Sequence, residues 1–244
     1  MRIVVFSDVH ANLVALETVL EHASPADAYW CLGDLVGYGP DPGPVVALVR
    51  SLPNLICLQG NHDAAVAGQL PLSWFNEEAR QVLEWTQSVL PPALLSFLRQ
   101  RPPRLDLETV TLVHASLRAP LEEYVVTPTS ASTNLYLLDR PRAFIGHSHI
   151  PLAWVEHEVH GAVLHRPMRY GEPWPLPKAK ALINPGSVGQ PRDGDPRAAY
   201  AVYDPDENTW TWYRVPYDVQ AAQARFHAIP FLPKRFAARL AQGR

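Results

Sequence analysis

The chain has 244 residues, 47% of them hydrophobic and 18% charged, with a formal net charge of -3 and a pI of about 6.4. That balance belongs to a globular chain with enough apolar material for one large core. It argues against a broad electrostatic grip on nucleic acid, which rests on clustered Lys and Arg, and no run approaches the roughly 20 apolar residues that span a bilayer.

In chain order, the first third alternates strands and helices. Ile3–Ser7, Ala28–Leu32 and Leu55–Leu58 are short apolar runs predicted as strands. Between them, Leu13–His22 carries Leu13, Leu16, Val19 and Leu20 at helical spacing, and Val45–Leu52 reads as a second helix. This order predicts a partly parallel sheet with right-handed crossovers. Asn76–Val89 and Leu94–Arg99 are predicted helices split by Pro91-Pro92. Thr109–His114, Ala143–Gly146, Ala153–Glu158 and Ala162–His165 are predicted strands; Ala199–Asp204 and Thr209–Val215 form a late strand pair around a turn-rich connector. The strand-rich second half predicts a second sheet packed on the first. Arg166–Pro177 reads as a surface loop, and Val219–Ala228 and Lys234–Ala241 as helices. The chain is thus read as a single domain, 1–244, with a helical cap-like insertion at about 64–105 and a C-terminal helical tail at about 219–241. Cys31 and Cys57 end apolar runs and read as buried free thiols. The strand that follows Met1 at once, with no leader before it, predicts a cytoplasmic protein.

The residues that carry chemistry fall in five short segments: Asp8-Val9-His10, Gly33-Asp34, Gly60-Asn61-His62-Asp63, His114 and Gly146-His147-Ser148-His149. Four of the five lie where a predicted strand ends, and ligand sites in open α/β sheets form beyond the carboxyl ends of strands. Alternate residues of an extended segment point the same way, so Asp8 and His10 can grip one ion, as can His147 and His149. Mixed carboxylate and imidazole donors suit Mn, Fe, Co, Ni or Zn better than Ca or Mg. Thiolate is missing from the set, which disfavours a closed structural zinc site. Two divalent ions less Asp8, Asp34 and a hydroxide leave a net positive site suited to a phosphate anion.

The five segments, in this order, resemble the signature of the calcineurin-like metallophosphoesterase superfamily: D-x-H, G-D, G-N-H-[DE], H and G-H-x-H, here spanning residues 8 to 149. Gly33–Pro40 and Asn184–Arg192 further resemble a bacterial phosphoesterase subgroup. The resemblance implies a four-layer α/β/β/α sandwich, an α/β (α+β) fold with a dinuclear metal site between two mixed sheets. By motif position it implies that Asp8, His10, Asp34 and His149 bind one ion, and that Asp34 bridges to a second held by Asn61, His114 and His147. A hydroxide bridging the ions would attack, with His62 as general acid; Asp63 would orient His62 or shape its loop. Mn is the ion expected to support activity.

The chain departs from the protein-phosphatase branch of that superfamily, whose G-D-x-x-D-R puts Asp and Arg where Gly37 and Tyr38 stand here. Phosphate binding is therefore expected from other groups: Arg118 first, Arg192 second, and Asn12 as a donor to a metal-bound oxygen. Trp74, Phe75 and Trp85 read as core aromatics by spacing; the sharper alternative is that Trp74–Leu98 caps the site and stacks a nucleobase, with Tyr38 a similar candidate. Gly33, Gly60 and Gly146 read as turn glycines, and Asn184-Pro185-Gly186-Ser187 as a turn that the resemblance places beside the metals. His22, His157, His160, His165 and His227 match no motif and read as structural, with His157 and His160 bracketing a turn. The leading expectation is hydrolysis of a small nucleotide-like phosphodiester, phosphomonoester or dinucleoside polyphosphate. The alternatives are a nuclease of the same superfamily, weakened by the acidic chain, and a non-enzymatic scaffold, weakened by the full ligand set. The expected partner is a small phosphorylated substrate rather than nucleic acid or membrane, and the oligomeric state stays open.

Overall fold

A computed structural model describes residues 1–157 and 162–244. The strands are β1 (Ile3–Phe6), β2 (Ala28–Cys31), β3 (Leu55–Cys57), β4 (Arg104–Asp106), β5 (Val110–Val113), β6 (Arg142–Ile145), β7 (Leu152–Glu156), β8 (Val163–His165), β9 (Trp174–Pro175), β10 (Ala181–Asn184), β11 (Ala198–Asp204) and β12 (Thr209–Val215). The helices are α1 (Leu13–Ala23), α2 (Pro42–Arg50), α3 (Asn61–Val66), α4 (Glu77–Val89), α5 (Pro92–Arg99), α6 (Pro128–Leu137), α7 (Val219–His227) and α8 (Lys234–Leu240), with a 3-10 turn at Leu72–Trp74.

Two mixed six-stranded sheets, β3-β2-β1-β11-β12-β9 and β4-β5-β6-β10-β7-β8, stack face to face between helical layers. Burial on both faces follows from side-chain alternation. Ile3 and Val5 of β1 enter the core between the sheets with Trp30, Phe144, Ile183 and Trp210, whereas Val4 and Phe6 face α1 and α2 with Leu16, Val19 and Val45. On the far side, α6 covers the second sheet through Ala131 and Leu135 against Val113, Ile145 and Leu182. α7 and α8 pack Phe226, Phe236 and Leu240 against Val82 of α4. Arg225 of α7 ties this layer to the start of α2 by two hydrogen bonds to Asp41, at 2.7 and 2.5 Å.

The parallel arrangement of β1, β2 and β3 is as expected. The sheet membership of the late strand pair is not: β11 pairs antiparallel with β1 and β12 with β11, so they extend the first sheet. β4, β9 and β10 are short strands that periodicity did not reveal, and Trp174 buries itself within the predicted surface loop. α2 starts three residues before the predicted Val45, because Pro42 and Pro44 fit a first helical turn, which needs no N–H from them. α6 went unread because Pro-Thr-Ser-Ala-Ser-Thr-Asn carries no apolar stripe; its Thr127–Ser130 capping box is the signal that was available. His22 and His165 are structural as read, the first bonded to Tyr200 Oη at 2.8 Å and the second edge-on to Trp154. The predicted strand end at Glu158 and the turn reading at His160 lie outside the described residues.

Phe144 is fully buried between the sheets and touches Trp30, Tyr203 and Trp210. Phe144→Ala is expected to lower the unfolding free energy in urea titration by about 3–5 kcal/mol. Tyr136, 85% exposed on α6, is expected to change it by no more than about 0.5 kcal/mol when made Ala.

Candidate metal centre

The strands β1, β2 and β3 of one sheet and β5 and β6 of the other deliver their carboxyl ends to the same edge of the sandwich. The segments just beyond them do not stay extended. Asp8, His10, Asp34, His147 and His149 have φ of 55, 46, 57, 63 and 60°, in the left-handed region. The convergence of Asp8 with His10 and of His147 with His149 thus comes from tight turns, which corrects the expected strand alternation. Such backbone costs on the order of 1–3 kcal/mol per residue and persists only where its surroundings over-determine it. Here they do. Asp8 and His10 donate backbone N–H to the carbonyls of Gly33 and Asp34 at 3.0 Å each, and His147 N–H donates to Asp8 Oδ2 at 3.1 Å. Val188 and Gly189 N–H brace the carbonyls of Ser7 and Asp8.

Two donor sets result, Asp8, His10, Asp34 and His149, and Asp34, His114 and His147, each with its donor atoms within 4.8 Å of one another. Asp34 belongs to both. Its Oδ2 lies 3.6 Å from His10 Nε2 and 3.5 Å from His114 Nε2, while its Oδ1 accepts the His62 N–H at 2.9 Å. A Cβ on Gly60 would stand 2.0 Å from Asp34 Oδ1, so close approach, not a left-handed φ, requires glycine there. Gly33 (φ 102°) needs glycine on both counts, since a Cβ there would stand 2.6 Å from Gly60 N.

The donor atoms fit cations. The Nδ1 atoms of His10, His114 and His149 face the carbonyls of Val36, Leu32 and Gln190 at 3.0, 2.8 and 2.5 Å. A carbonyl only accepts, so each Nδ1 carries the proton and each Nε2 a lone pair. His10 Nε2 and His149 Nε2 are then two lone pairs facing each other at 3.0 Å. His114 Nε2 and Asn61 Oδ1 face each other in the same way at 3.3 Å. Asp8 Oδ1 is buried, has no hydrogen-bond partner among the described residues, and lies 3.4 Å from His149 Nε2. A cation at each place would turn these repulsions into ligation. Burial pushes the Asp8 carboxyl up to about 7 and Asp34 well above the usual range. It also holds His10, His114 and His149 well below theirs and His147 at about 4, so the imidazoles are neutral donors at neutral pH. Bound cations favour the charged carboxylates that burial alone disfavours.

A cleft of about 270 Å³ opens over the donors, lined by Asp34, Asn61, His147 and His149 below and by Tyr38, His62, Trp74, Phe75, Tyr124 and Arg192 around them. His62 is wedged between the rings of His10, Tyr38 and Phe75, and its pKa is held low by burial and then by Arg192, His147 and His114. Its buried Nδ1 has no partner, and a Cβ on Gly37 would lie 2.2 Å from that atom. Asp63 turns away from His62 and gathers the loop, accepting N–H groups of Leu35, Val36 and Gly60 at 2.9, 3.1 and 3.0 Å. Two expected substrate groups are placed elsewhere. Arg118 has a 57% exposed side chain paired with Glu123, outside the cleft lining, because the turn after His114 carries it outward. Asn12 is spent on capping α1 through Ala15 N–H and on donating to Gly189 O at 3.1 Å. Arg192 does reach the cleft, where its guanidinium meets Tyr38 Oη at 3.3 Å and Gln190 Oε1 at 3.1 Å.

Residues outside the five short segments complete the centre. Tyr124 stacks on His147 at 4.2 Å between ring centroids, and His147 is also bonded to the Glu122 backbone. Asn184 binds Gly146 O at 2.8 Å and Ser148 Oγ at 3.1 Å, tying the Asn184-Pro185-Gly186-Ser187 turn to the His147 loop. Arg214, buried on β12, pairs with Asp193 and donates to Arg197 O at 2.8 Å, which holds the loop that presents Arg192. The Asn-Pro-Gly-Ser text marked the turn; Tyr124 and Arg214 had no sequence signal beyond their residue type.

A sandwich with two donor sets sharing one carboxylate is the architecture of a dinuclear metallohydrolase. Residues 1–208 match the calcineurin-like phosphoesterase superfamily domain, and the chain belongs to that family of phosphoesterases. The crystal structure of a metallophosphoesterase from Sphaerobacter thermophilus superposes with a TM-score of 0.90 at 43% identity, covering 100% of this chain and 99% of the other. The protein MJ0912 of Methanocaldococcus jannaschii is 35% identical over 99% of this chain and 98% of its own length. Phosphodiesterase YfcE of Escherichia coli is 28% identical over 84% and 89%. Among the described residues no helix is long and apolar enough to cross a membrane.

Metal occupancy is expected to couple to stability. Adding Mn at 100 times its Kd to chelator-treated protein should stabilise it by about 2.7 kcal/mol per site, roughly 5–10 °C in a calorimetric scan. An unchanged Tm contradicts the assignment of these donors. Gly60→Ala should abolish most of the gain by displacing the Asp34 carboxylate.

Proposed function

We propose that the chain hydrolyses a small nucleotide-like phosphate compound, a phosphodiester, phosphomonoester or dinucleoside polyphosphate, using two divalent transition-metal ions. The observation that carries this reading is the Asp34 carboxylate shared by two donor sets at the floor of a narrow cleft. Asp8, His10, Asp34 and His149 would hold one ion, and Asp34, Asn61, His114 and His147 the other. Donors of this mixed type suit Mn, Fe, Co, Ni or Zn, and Mn is the ion chosen for assay. Two such ions supply Lewis-acid polarisation of the phosphoryl group and activation of water.

The chain's own groups do the rest. Arg192 is the guanidinium in the cleft lining and is aimed to grip a phosphate oxygen; Tyr38 and Gln190 hold it there. His62, beside Asp34 and in the same lining, is the group that would protonate the leaving oxygen. A phosphate anion beside it raises its proton affinity against the burial that otherwise lowers it. Asp63 acts on catalysis through the loop it gathers. Trp74 and Phe75 of the helical region cap one side of the cleft. The likeness to YfcE, a phosphodiesterase by name, supports a diester among the substrates. A protein-phosphatase role is disfavoured, since Gly37 abuts His62 with no room for the Asp of that branch. The net charge of -3 continues to speak against a nuclease.

The test is steady-state kinetics of the Mn-loaded chain on bis-p-nitrophenyl phosphate, p-nitrophenyl phosphate and a nucleotide panel. His62→Ala should lower kcat by about 10²–10⁴-fold. Arg192→Ala should lower kcat/KM by roughly 10–100-fold, the scale of a lost charged hydrogen bond. Arg118→Ala should stay within about twofold of the parent, as an exposed ion pair away from the site. A protein holding two metals yet inert on the whole panel contradicts the proposal.

A further inference from the structure

Trp74 stands out among its neighbours. Leu72 and Phe75, two residues before it and one after, pack against the core of the first sheet, but Trp74 joins no core cluster and is 55% exposed. Trp85, on the next helix, packs edge-on against Phe231, whereas the Trp74 indole makes no ring contact with another described residue. Its segment is anchored on both sides, and the indole lines the metal cleft. Tyr124 comes into the same cleft from a loop beyond β5. One of its faces stacks on His147, with planes 24° apart, yet the residue remains 48% exposed. Two large aromatic side chains thus stay open to solvent in one cleft whose floor and one wall are built for a phosphate. Leaving such area wet is unfavourable, and each ring offers a π-face on which a flat group can stack.

We infer that Trp74 and Tyr124 form a subsite for a planar aromatic group carried next to the scissile phosphate, a nucleobase, and that they set the preference for nucleotides over aliphatic phosphates. The inference rests on the phosphoesterase reading above and adds the residues that read the rest of the substrate. Stacking on an aromatic side chain tolerates any base, so the subsite selects nucleotides as a class and discriminates little among bases. Tyr124 and Arg192 line the same cleft, so the two halves of the site adjoin.

The experiment compares AMP with ribose 5-phosphate, which share the phosphate and sugar and differ by the base. Isothermal titration calorimetry on the Mn-loaded chain should give a Kd at least about tenfold lower for AMP. Trp74→Ala should remove most of that preference and leave the ribose 5-phosphate Kd unchanged, whereas Tyr124→Ala, which also takes the ring off His147, should weaken AMP binding more than ribose 5-phosphate binding. Tyr124→Phe should keep the preference, because the ring remains. Equal Kd values for the two compounds in the parent chain overturn the inference, as does an equal loss of both in Trp74→Ala. Turnover of p-nitrophenyl phosphate by the same sample separates the two levels. Turnover without an AMP preference removes the base subsite and leaves the phosphoesterase standing. No bound metal and no turnover remove the reading on which the subsite rests.

Discussion

The Asp34 carboxylate is the group around which the rest is arranged. It is buried, has one oxygen fixed by the His62 N–H, and points the other at two histidine nitrogens that carry lone pairs toward it. A carboxylate in such a place is unfavourable by itself, since burial and the neighbouring Asp63 and Asp8 drive it towards the neutral acid. A cation in each of the two donor sets would reverse that balance. The remaining features of the edge follow from the need to hold this one side chain there. Gly60 must lack a Cβ, Gly33 must turn left-handed, and Asp63 must collect the N–H groups of both loops.

The sandwich provides the rigidity that these loops lack. Five of the candidate ligand residues occupy left-handed backbone, and each turn grows out of a strand end that is buried on both faces. The supports come from remote sequence. Asn184, the last residue of β10, grips the Gly146 loop, Ser187 Oγ donates to Asp8 O at 2.8 Å, and Trp212 of β12 donates to Asn184 O at 2.8 Å. Core packing and site geometry are therefore one network: the inter-sheet tryptophans orient the turn that orients the metal loops. The Arg214–Asp193 ion pair does the same for the cleft, fixing the loop that carries Arg192 and the Gln190 carbonyl.

The candidate metal ligands were legible because they fall in five short motifs, four of them where a predicted strand ends, and topology carries strand ends to one edge. The reason given for their pairing was not the one the chain uses, since φ at Asp8, His10, His147 and His149 is set by cross-loop hydrogen bonds that no local pattern encodes. Arg118 and Arg192 show the same limit. Proximity in sequence to His114 favoured Arg118, but the turn sends it to Glu123, while Arg192 arrives from the far end of the chain through the loop after β10. Asn12 looked like a free donor and is a helix cap, a competition between local and site roles that its spacing from His10 cannot resolve. β11 and β12 were seen as strands, yet their place in the first sheet depends on a non-local pairing with β1. Tyr124 lay in a loop with no pattern at all.

The measurement that bears most directly on the shared carboxylate is elemental analysis of metal per chain after reconstitution with Mn, for the parent and for Asp34→Asn. An amide keeps the shape but loses the charge and the second strong donor oxygen. Near two ions in the parent and one or fewer in Asp34→Asn is the result predicted here. Two ions retained by Asp34→Asn, or none in the parent, would contradict the account of Asp34 as the bridge between two metal sites.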